Sequence, residues 1–287
     1  MVTNRLVAAV LLAAAGCSDR ASDAPHPRII SYSPGVTDIL YDLGLGDHVV
    51  GVTSWCMLPE GQSKPVVGSA LSPNTEMILA LEPDLIFCQQ DPSKLEAVRR
   101  RRPEVRIVAV PVRGLDEQLA AVAKVAEAAG APAAGQRLTG RIEARLAAVR
   151  RRAAGRDRPR TLFLLGHDRP ATAGRGTMID GLIGAAGGVN AAAERYERWP
   201  TINAEMIQAL RPEVIVCQVN SPSEATRARR HLGSLSLPAG CRIVVTTDRR
   251  VTLLGSRVGE VAELFAEAIH PSAATRPGGA ASGEGPR

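Results

Sequence analysis

One stretch of this chain occurs twice, and the repeat limits the folds that the chain can adopt. "NTEMILALEPDLIFCQ" occupies residues 74–89 and "NAEMIQALRPEVIVCQ" occupies residues 203–218, so ten of sixteen positions match at an offset of 129. Solenoid repeats have periods of only roughly 20 to 50 residues. The repeat therefore predicts two related lobes within the 287 residues.

Each copy of the repeat has the pattern of a short capped helix followed by a buried strand. Asn74 and Asn203 stand where a side-chain oxygen can accept a hydrogen bond from a free N–H of the first turn. Glu76 and Glu205 fall in that turn, where the helix dipole favours an anion whatever its function. The apolar residues predicted to bury against the sheet are Met77, Ile78, Leu81, Met206, Ile207 and Leu210.

The order of predicted elements in both halves is that of parallel βαβ units. Apolar strands such as "PDLIFC" and "CRIVVTT" alternate with helical segments on either side of residues 131–154. In that middle segment apolar residues recur at helical spacing, at Leu138, Ile142, Leu146 and Val149. The predicted fold is α/β, with two Rossmann-like lobes built on central parallel sheets and joined by a single long rigid helix.

The predicted boundaries follow from this order. An N-terminal α/β lobe covers residues 28–130, the linker helix covers 131–156, and a C-terminal α/β lobe covers 157–270. Residues 271–287 are rich in Gly, Ala, Ser and Pro, a composition typical of a disordered tail.

The first 17 residues have the pattern of a secretory signal. The apolar stretch Leu6–Ala15 follows Arg5 and is too short to span a bilayer. Because it ends in Ala14-Ala15-Gly16-Cys17, the segment resembles a bacterial lipoprotein signal, in which the cysteine is lipidated and becomes the mature N-terminus. Ordinary secretion is the alternative. With residues 18–27 as a tether, we expect an extracytoplasmic protein anchored to the membrane, in the periplasm or at the cell surface.

Charge and aromatic content bear on the partners. The net charge is +6, and arginines cluster at Arg99–Arg102 and Arg150–Arg152. Such runs bind nucleic acid or anionic lipid in some proteins and are solvated helix faces in most. Only 3% of the residues are aromatic, which leaves no stacking platform for single strands, so no nucleic-acid partner is expected.

The sequence lacks the common catalytic and metal-binding motifs. It contains no Gly-x-Ser-x-Gly, no Walker motif and no Gly-x-Gly-x-x-Gly after a strand. Cysteine spacing matches no zinc motif, and no metal site is expected. Cys217 and Cys241 flank predicted strands of one half and could pair, with buried free thiols as the alternative. An enzyme with a cofactor held by Cys56, Cys88 and Cys217 remains a remote alternative.

Four segments together resemble a known family. They read "IISYSPGVTDILYDLGLGDHVVGVTSWC", "VVGSALSPNTEMILALEPDLI", "TMIDGLIGAAGGVNAAA" and "WPTINAEMIQALRPEVIV". They are similar to substrate-binding proteins of bacterial ABC importers, in the group with a rigid helical backbone that serves cobalamin, iron–siderophores and haem. The resemblance covers about residues 28–270. It implies a non-enzymatic protein that holds a small-molecule metal-chelate in the cleft between its lobes, with no cofactor of its own.

The resemblance also implies a partner and a ligand. In the family, one glutamate on each lobe pairs with arginines of a dimeric permease, and Glu76 and Glu205 match those positions. "VVGVTSWCMLPEGQSKPVVGS" looks most like cobalamin-binding members, although a tyrosine common after the cysteine is absent here. Trp199 matches a position where those members place an aromatic residue against the corrin. Cobalamin is therefore expected first, and a ferric siderophore or haem is the alternative.

Ligand-contact candidates are loop and strand-end residues that would face the cleft. Such a site needs apolar or aromatic faces and a few polar anchors, and open α/β sheets bind ligands at the carboxyl ends of their strands. For each polar candidate the alternative is a loop residue whose hydrogen bonds are satisfied within the protein. For His167 a metal-ligand role is a further alternative, since imidazole suits both iron and cobalt. The candidates are Ser33, Pro34, Trp55, Gln89, His167, Arg175, Trp199 and Asp248.

Overall fold

The protein is seen in a computed structural model that describes residues 26–69, 72–89, 91–253 and 255–272. This part of the chain forms two α/β lobes joined by one long helix, so the predicted fold class is confirmed. Cys17 and the predicted signal segment lie outside the described residues.

The first lobe is built on a parallel four-stranded sheet. Its elements are β1 (Ile29–Tyr32), α1 (Pro34–Asp42), β2 (Val49–Val52), β3 (Gly68–Ser69), β4 (Ser72–Pro73), α2 (Thr75–Ala80), β5 (Leu85–Cys88), α3 (Glu96–Arg101), β6 (Arg106–Ala109) and α4 (Leu115–Ala128). The sheet order is β2-β1-β5-β6, while β3 and β4 form a short antiparallel hairpin. Every residue of β1 and β5 is buried, as expected when helices cover both faces of a parallel sheet.

The linker between the lobes is helix α5 (Pro132–Ala153). Its 22 residues give a length of about 33 Å. The four apolar residues that predicted the helix, Leu138, Ile142, Leu146 and Val149, are all buried. They belong to one apolar cluster that runs through both lobes, so the helix is packed along its length rather than free to flex.

The second lobe repeats the plan of the first. Its elements are β7 (Arg160–Leu165), β8 (Ala171–Thr172), α6 (Met178–Ala185), β9 (Val189–Asn190), α7 (Ala204–Ala209), β10 (Val214–Gln218), α8 (Pro222–Gly233), β11 (Arg242–Thr246) and α9 (Val258–Ile269). The sheet order is β11-β10-β7-β8, with β9 also paired to β7 and only β8 antiparallel.

The four described cysteines are free thiols. Cys217 and Cys241 do not pair even though β10 and β11 are neighbours. The parallel register places Cys217 opposite Val245. Cys241 is four residues before Val245, so it lies about 13 Å further along the sheet than the position opposite Cys217. Burial raises the pKa of Cys217 to about 12, so this thiol stays protonated and unreactive.

The repeated segment folds alike in both lobes. The predicted N-caps are confirmed, since Asn74 Oδ1 accepts from Met77 N at 3.1 Å and Asn203 Oδ1 accepts from Met206 N at 2.9 Å. The burial predicted for Met77 is wrong, because its side chain is 39% exposed. Helix α2 is short, and only Ile78 faces the sheet. Met77 is rotated by about 100° around the helix axis from Ile78, which turns its side chain toward solvent.

The two lobes also share the contacts at the amino ends of their strands. The guanidinium of Arg28 donates to the Leu81 carbonyl at 2.8 Å, and that of Arg160 donates to the Leu210 carbonyl at 3.2 Å. Each arginine therefore caps the carboxyl end of the repeated helix of its own lobe. We call this end of the molecule the base, and the opposite end, where the parallel strands finish, the cleft edge.

Candidate functional site

A cavity of ≈ 210 Å³ lies between the lobes at the cleft edge. This volume is below the roughly 300–1,000 Å³ of drug-sized ligand sites, so the cavity would hold part of a large ligand unless the lobes move apart. Both lobes contribute to its wall, which is the arrangement that a two-lobed binding protein needs. The lining residues are Pro34, Gly35, Gln89, Val112 and Arg113 from the first lobe, with Met178, Trp199, Thr252 and Leu253 from the second.

The first-lobe wall is formed where β1 and β5 end. Pro34 is the first residue of α1, and Gln89 follows β5 directly. Ser33 is buried behind them, and its Oγ donates to Gln89 Oε1 at 2.9 Å. This bond orients the amide of Gln89 at the cavity wall, so Ser33 supports the wall rather than lining it.

The second-lobe wall is dominated by Trp199. The side chain is 44% exposed, and its ring meets the buried ring of Phe163 edge-on at a centroid distance of 6.1 Å. Met178, the first residue of α6, lies on the same wall. A half-exposed indole held by a buried aromatic ring is a flat apolar surface suited to a planar ligand.

Arg113 is a cavity residue that the sequence did not single out. Its backbone N–H donates to Glu117 Oε2 at 2.7 Å, which orders the turn before α4. Its guanidinium has no ion pair within the described part of the chain, and no carboxylate lines the described cavity wall. The cavity is therefore cationic. Gln89 is predicted as a ligand contact because it follows the end of a strand. Arg113 lies in the loop that follows the end of β6, so the same reasoning applies to it.

Three predicted ligand-contact residues lie away from the described cavity wall. Trp55 is 59% exposed in the loop after β2, and His167 is half-buried just after β7. The guanidinium of Arg175 donates to the Ala193 carbonyl through Nε at 3.1 Å and Nη2 at 3.0 Å. Their ligand contacts remain predictions.

Asp248 is engaged in an ion-pair network outside the described cavity wall. Its carboxylate accepts from Arg250 Nη2 at 2.6 Å, which holds the pKa of Asp248 below its usual range. Arg250 also pairs with Glu260 at 2.5 Å, and Glu260 pairs with Arg145 of the linker helix at 2.9 Å. The network ties the cleft edge of the second lobe to α5, and a ligand contact for Asp248 stays a prediction.

The lobes also touch each other between α1, α4 and the start of α9. Gln118 Nε2 donates to the Gly255 carbonyl at 3.0 Å, and Ser256 Oγ donates to Asp42 Oδ2 at 2.5 Å. Asp38 lies in this contact, where burial, partly offset by Arg257, raises the pKa of its carboxyl to about 6. The linker helix is thus not the only connection between the lobes.

The two repeated glutamates are exposed but differ in their contacts. Helices α2 and α7 run antiparallel to the strands, so Glu76 and Glu205 lie in first turns that begin toward the cleft edge. Glu76 accepts from Arg101 Nη1 at 2.5 Å, while Glu205 has no ion pair within the described residues. Their contact with a permease remains a prediction.

Comparison with known proteins identifies the family. The family model described as "Periplasmic binding protein" matches residues 29–230, well over half of the chain. The chain belongs to the periplasmic binding protein family. Its similar proteins include an uncharacterized ABC transporter substrate-binding lipoprotein, YvrC, of Bacillus subtilis, which is 25% identical over 252 residues, 85% of this chain and 80% of that protein.

Two further relatives of this periplasmic binding protein have named ligands. A cobalamin-binding protein of Halobacterium salinarum is 29% identical over 210 residues, which make up 69% of this chain and 56% of that longer protein. The apo structure of the periplasmic heme-binding protein RhuT from Roseiflexus sp. RS-1 is 30% identical, with a TM-score of 0.73 over 85% of this chain and all of that one.

The Bacillus relative is named an ABC transporter substrate-binding protein, and the family is one of substrate-binding transport proteins and not of enzymes, so this protein is a transport protein of extracytoplasmic type. The remote alternative of a cysteine-ligated cofactor enzyme is not supported. In the described residues, no group of three or more His, Cys, Asp or Glu side chains is placed to hold a metal ion. No helix in the described ranges is both long enough and apolar enough to cross a membrane.

Proposed function

We propose that this protein captures a metal-chelate, cobalamin in the first place, and delivers it to an ABC importer. The observation that supports this most is the cavity between the lobes, with Trp199 on one wall and Gln89 and Arg113 on the other. A corrin is a large flattened ring that carries amide side chains. Trp199 offers it an apolar face, while Gln89 and Arg113 offer hydrogen bonds to amide oxygens.

Haem and ferric siderophores are the alternative ligands. Haem iron usually takes an axial ligand from histidine, tyrosine, cysteine or methionine. Among these, the described cavity wall contains only Met178, so a histidine, tyrosine or cysteine ligand to haem iron would have to come from outside that wall. Arg113, however, would also suit a haem propionate or a siderophore carboxylate. The relatives named above bind cobalamin in one case and haem in another, so they support both classes.

The anchor and the docking residues complete the proposal. Cys17 carries a lipid that holds the protein at the membrane, and the Bacillus relative is named a lipoprotein. Glu76 and Glu205, one exposed carboxylate per lobe, pair with two equivalent arginines of a dimeric permease. Charges of this kind set orientation and association rate more than affinity.

Ligand binding tests the proposal directly. The purified full chain is titrated with cyanocobalamin, haemin and a ferric siderophore, followed by tryptophan quenching and calorimetry. We expect micromolar or tighter binding of one ligand, cobalamin first. Binding of none of the three would overturn the proposal, and tighter binding of haemin or siderophore would replace cobalamin by that ligand.

A paired substitution tests docking separately. Glu76→Ala combined with Glu205→Ala should leave ligand affinity intact and weaken permease stimulation in proteoliposomes. Loss of ligand binding in the double variant would instead place the two carboxylates in the ligand site.

A further inference from the structure

The positive charge of the chain is concentrated in one element. Residues 131–160 hold nine arginines and two acidic residues, a net charge of +7. The whole chain holds 35 basic and 29 acidic residues, so the remaining residues hold 26 basic and 27 acidic ones, a net charge of −1. The segment from the start of the linker helix to the first residue of β7 therefore carries the entire positive excess of the protein.

Four of these arginines form one exposed face of α5. Arg137, Arg141, Arg151 and Arg152 fall on one side of the helix, next to the stripe that packs into the core. All four are exposed, and none has an ion pair within the described residues. We call these four residues the arginine face.

The acidic side chains beside this face only partly offset it. On α9, the carboxylate of Glu260 is already shared between Arg145 and Arg250. Glu267 lines a surface cavity together with Arg152 and Arg156, one carboxylate beside two guanidinium groups. Further negative charges nearby are those of Asp42, which lines a cavity together with Arg141, and of Glu263 on α9 and Glu143 on α5.

Both ends of α5, which carries the arginine face, lie at the base, the end of the molecule opposite the ligand cavity. Helix α5 leads through a short loop into β7 at the amino end of the second-lobe sheet. The N-terminal chain also meets the fold there, because His26 Nδ1 lies 3.1 Å from the Ala129 carbonyl just before α5. His26 is nine residues further along the chain than Cys17, which is at most about 31 Å of chain. A lipid on Cys17, which belongs to the proposed function, would keep α5 within reach of the membrane.

We infer that the arginine face of α5 binds the anionic phospholipid surface of the membrane. Guanidinium groups form paired hydrogen bonds to phosphate, and clustered basic residues are drawn to anionic leaflets. Such contacts weaken as salt screens them. In this orientation the ligand cavity faces away from the bilayer, so the undocked protein collects ligand from the aqueous side. A nucleic-acid partner fits less well, since the protein is extracytoplasmic and the face carries no aromatic residue.

Flotation with vesicles tests the inference. The full chain carrying Cys17→Ala, so that no attached lipid contributes, is mixed with vesicles of phosphatidylcholine alone or with added phosphatidylglycerol. The test variant adds Arg137→Glu, Arg141→Glu and Arg151→Glu. The control adds Arg195→Glu, Arg227→Glu and Arg230→Glu, which change the net charge equally at exposed positions of the second lobe. Circular dichroism and ligand titration confirm that each variant is folded.

The expected result is binding at least about tenfold tighter to the anionic vesicles, weakened by salt, lost in the test variant and kept in the control. Equal losses in the two triple variants would show that net charge alone is responsible and would overturn the inference. Equal binding to both vesicle types would overturn it as well. Tighter binding of heparin than of anionic vesicles, lost in the same test variant, would replace the lipid surface by a soluble polyanion. Ligand affinity is measured independently, so failure here leaves the proposed transport function standing.

Discussion

Arg101 donates to Glu76 at 2.5 Å, whereas Arg230, 129 residues further along the chain, makes no such contact with Glu205. The side chains of Arg101 and Glu76 are 56% and 78% exposed, so water screens the pair and its contribution to stability is small. Its consequence for docking is larger, because an arginine from a partner must displace Arg101 at Glu76 and meets no such competitor at Glu205.

Arg101→Ala should therefore strengthen docking. We expect the affinity for the permease to rise by about two- to fivefold, and the free energy of unfolding to change by less than about 0.5 kcal/mol. Surface plasmon resonance on the permease in nanodiscs measures the first quantity, and urea denaturation measures the second. Arg230→Ala is the matched control, since it removes an exposed arginine that has no ion pair in the described residues. Equal gains in the two variants would contradict competition at Glu76.

The two tryptophans should differ in their effect on ligand binding. Trp199 lines the cavity and Trp55 does not. Trp199→Ala removes the flat apolar wall, so we expect about 2 kcal/mol, or roughly 30-fold, weaker binding of the ligand that the wild type prefers. Trp55→Ala should weaken binding less than about threefold. Calorimetry of both variants provides the comparison, and a larger loss for Trp55 would move the ligand site toward the loop after β2.

Asp38 should make stability depend on pH. Its carboxyl has a pKa of about 6 in the folded protein against 3.8 as the ordinary value, so the folded state binds this proton more tightly than the unfolded chain does. Its contribution to stability is therefore full below about pH 4 and is lost as the pH rises through 6. The side chain of Asp38→Asn is neutral at every pH. We expect the difference in free energy of unfolding between this variant and the wild type to be about 2 kcal/mol more favourable to the variant at pH 8 than at pH 3.5.

Urea denaturation at several pH values measures this dependence. Asp157→Asn is the control, because Asp157 is exposed in the loop after the linker helix. A gain for Asp38→Asn that does not change with pH would show that the effect comes from packing and not from the proton.

Gly255→Ala should disturb the contact between the lobes. An added Cβ would lie 2.7 Å from both Asp38 Cβ and the Gly35 carbonyl oxygen, closer than such atoms approach. We expect a loss of about 1–3 kcal/mol in the free energy of unfolding, because main chain on one side must move. Gly233→Ala is the control, since no atom lies within 4 Å of its added Cβ. A thermal melt of each variant is sufficient, and equal melting temperatures would contradict a tight interlobe contact.

Local sequence determined most of the architecture. The repeat predicted two lobes, Asn74 and Asn203 predicted the helix starts, and the spacing from Leu138 to Val149 predicted the linker helix. These features rest on hydrogen bonds within four residues and on the periodicity of one element, which are readable from a short window. The family resemblance rests on the same segments, and the comparisons support it.

Only the tertiary structure decided which strand-end residues meet. Trp199 and Gln89 line the same cavity, whereas Asp248 forms an ion pair with Arg250. Arg113 also lines the cavity, although no sequence motif predicted it. The Arg101–Glu76 pair joins residues 25 apart, and the Ser256–Asp42 bond joins residues 214 apart. Such contacts depend on how elements far apart in the sequence pack against each other, and no short stretch of the sequence specifies that packing.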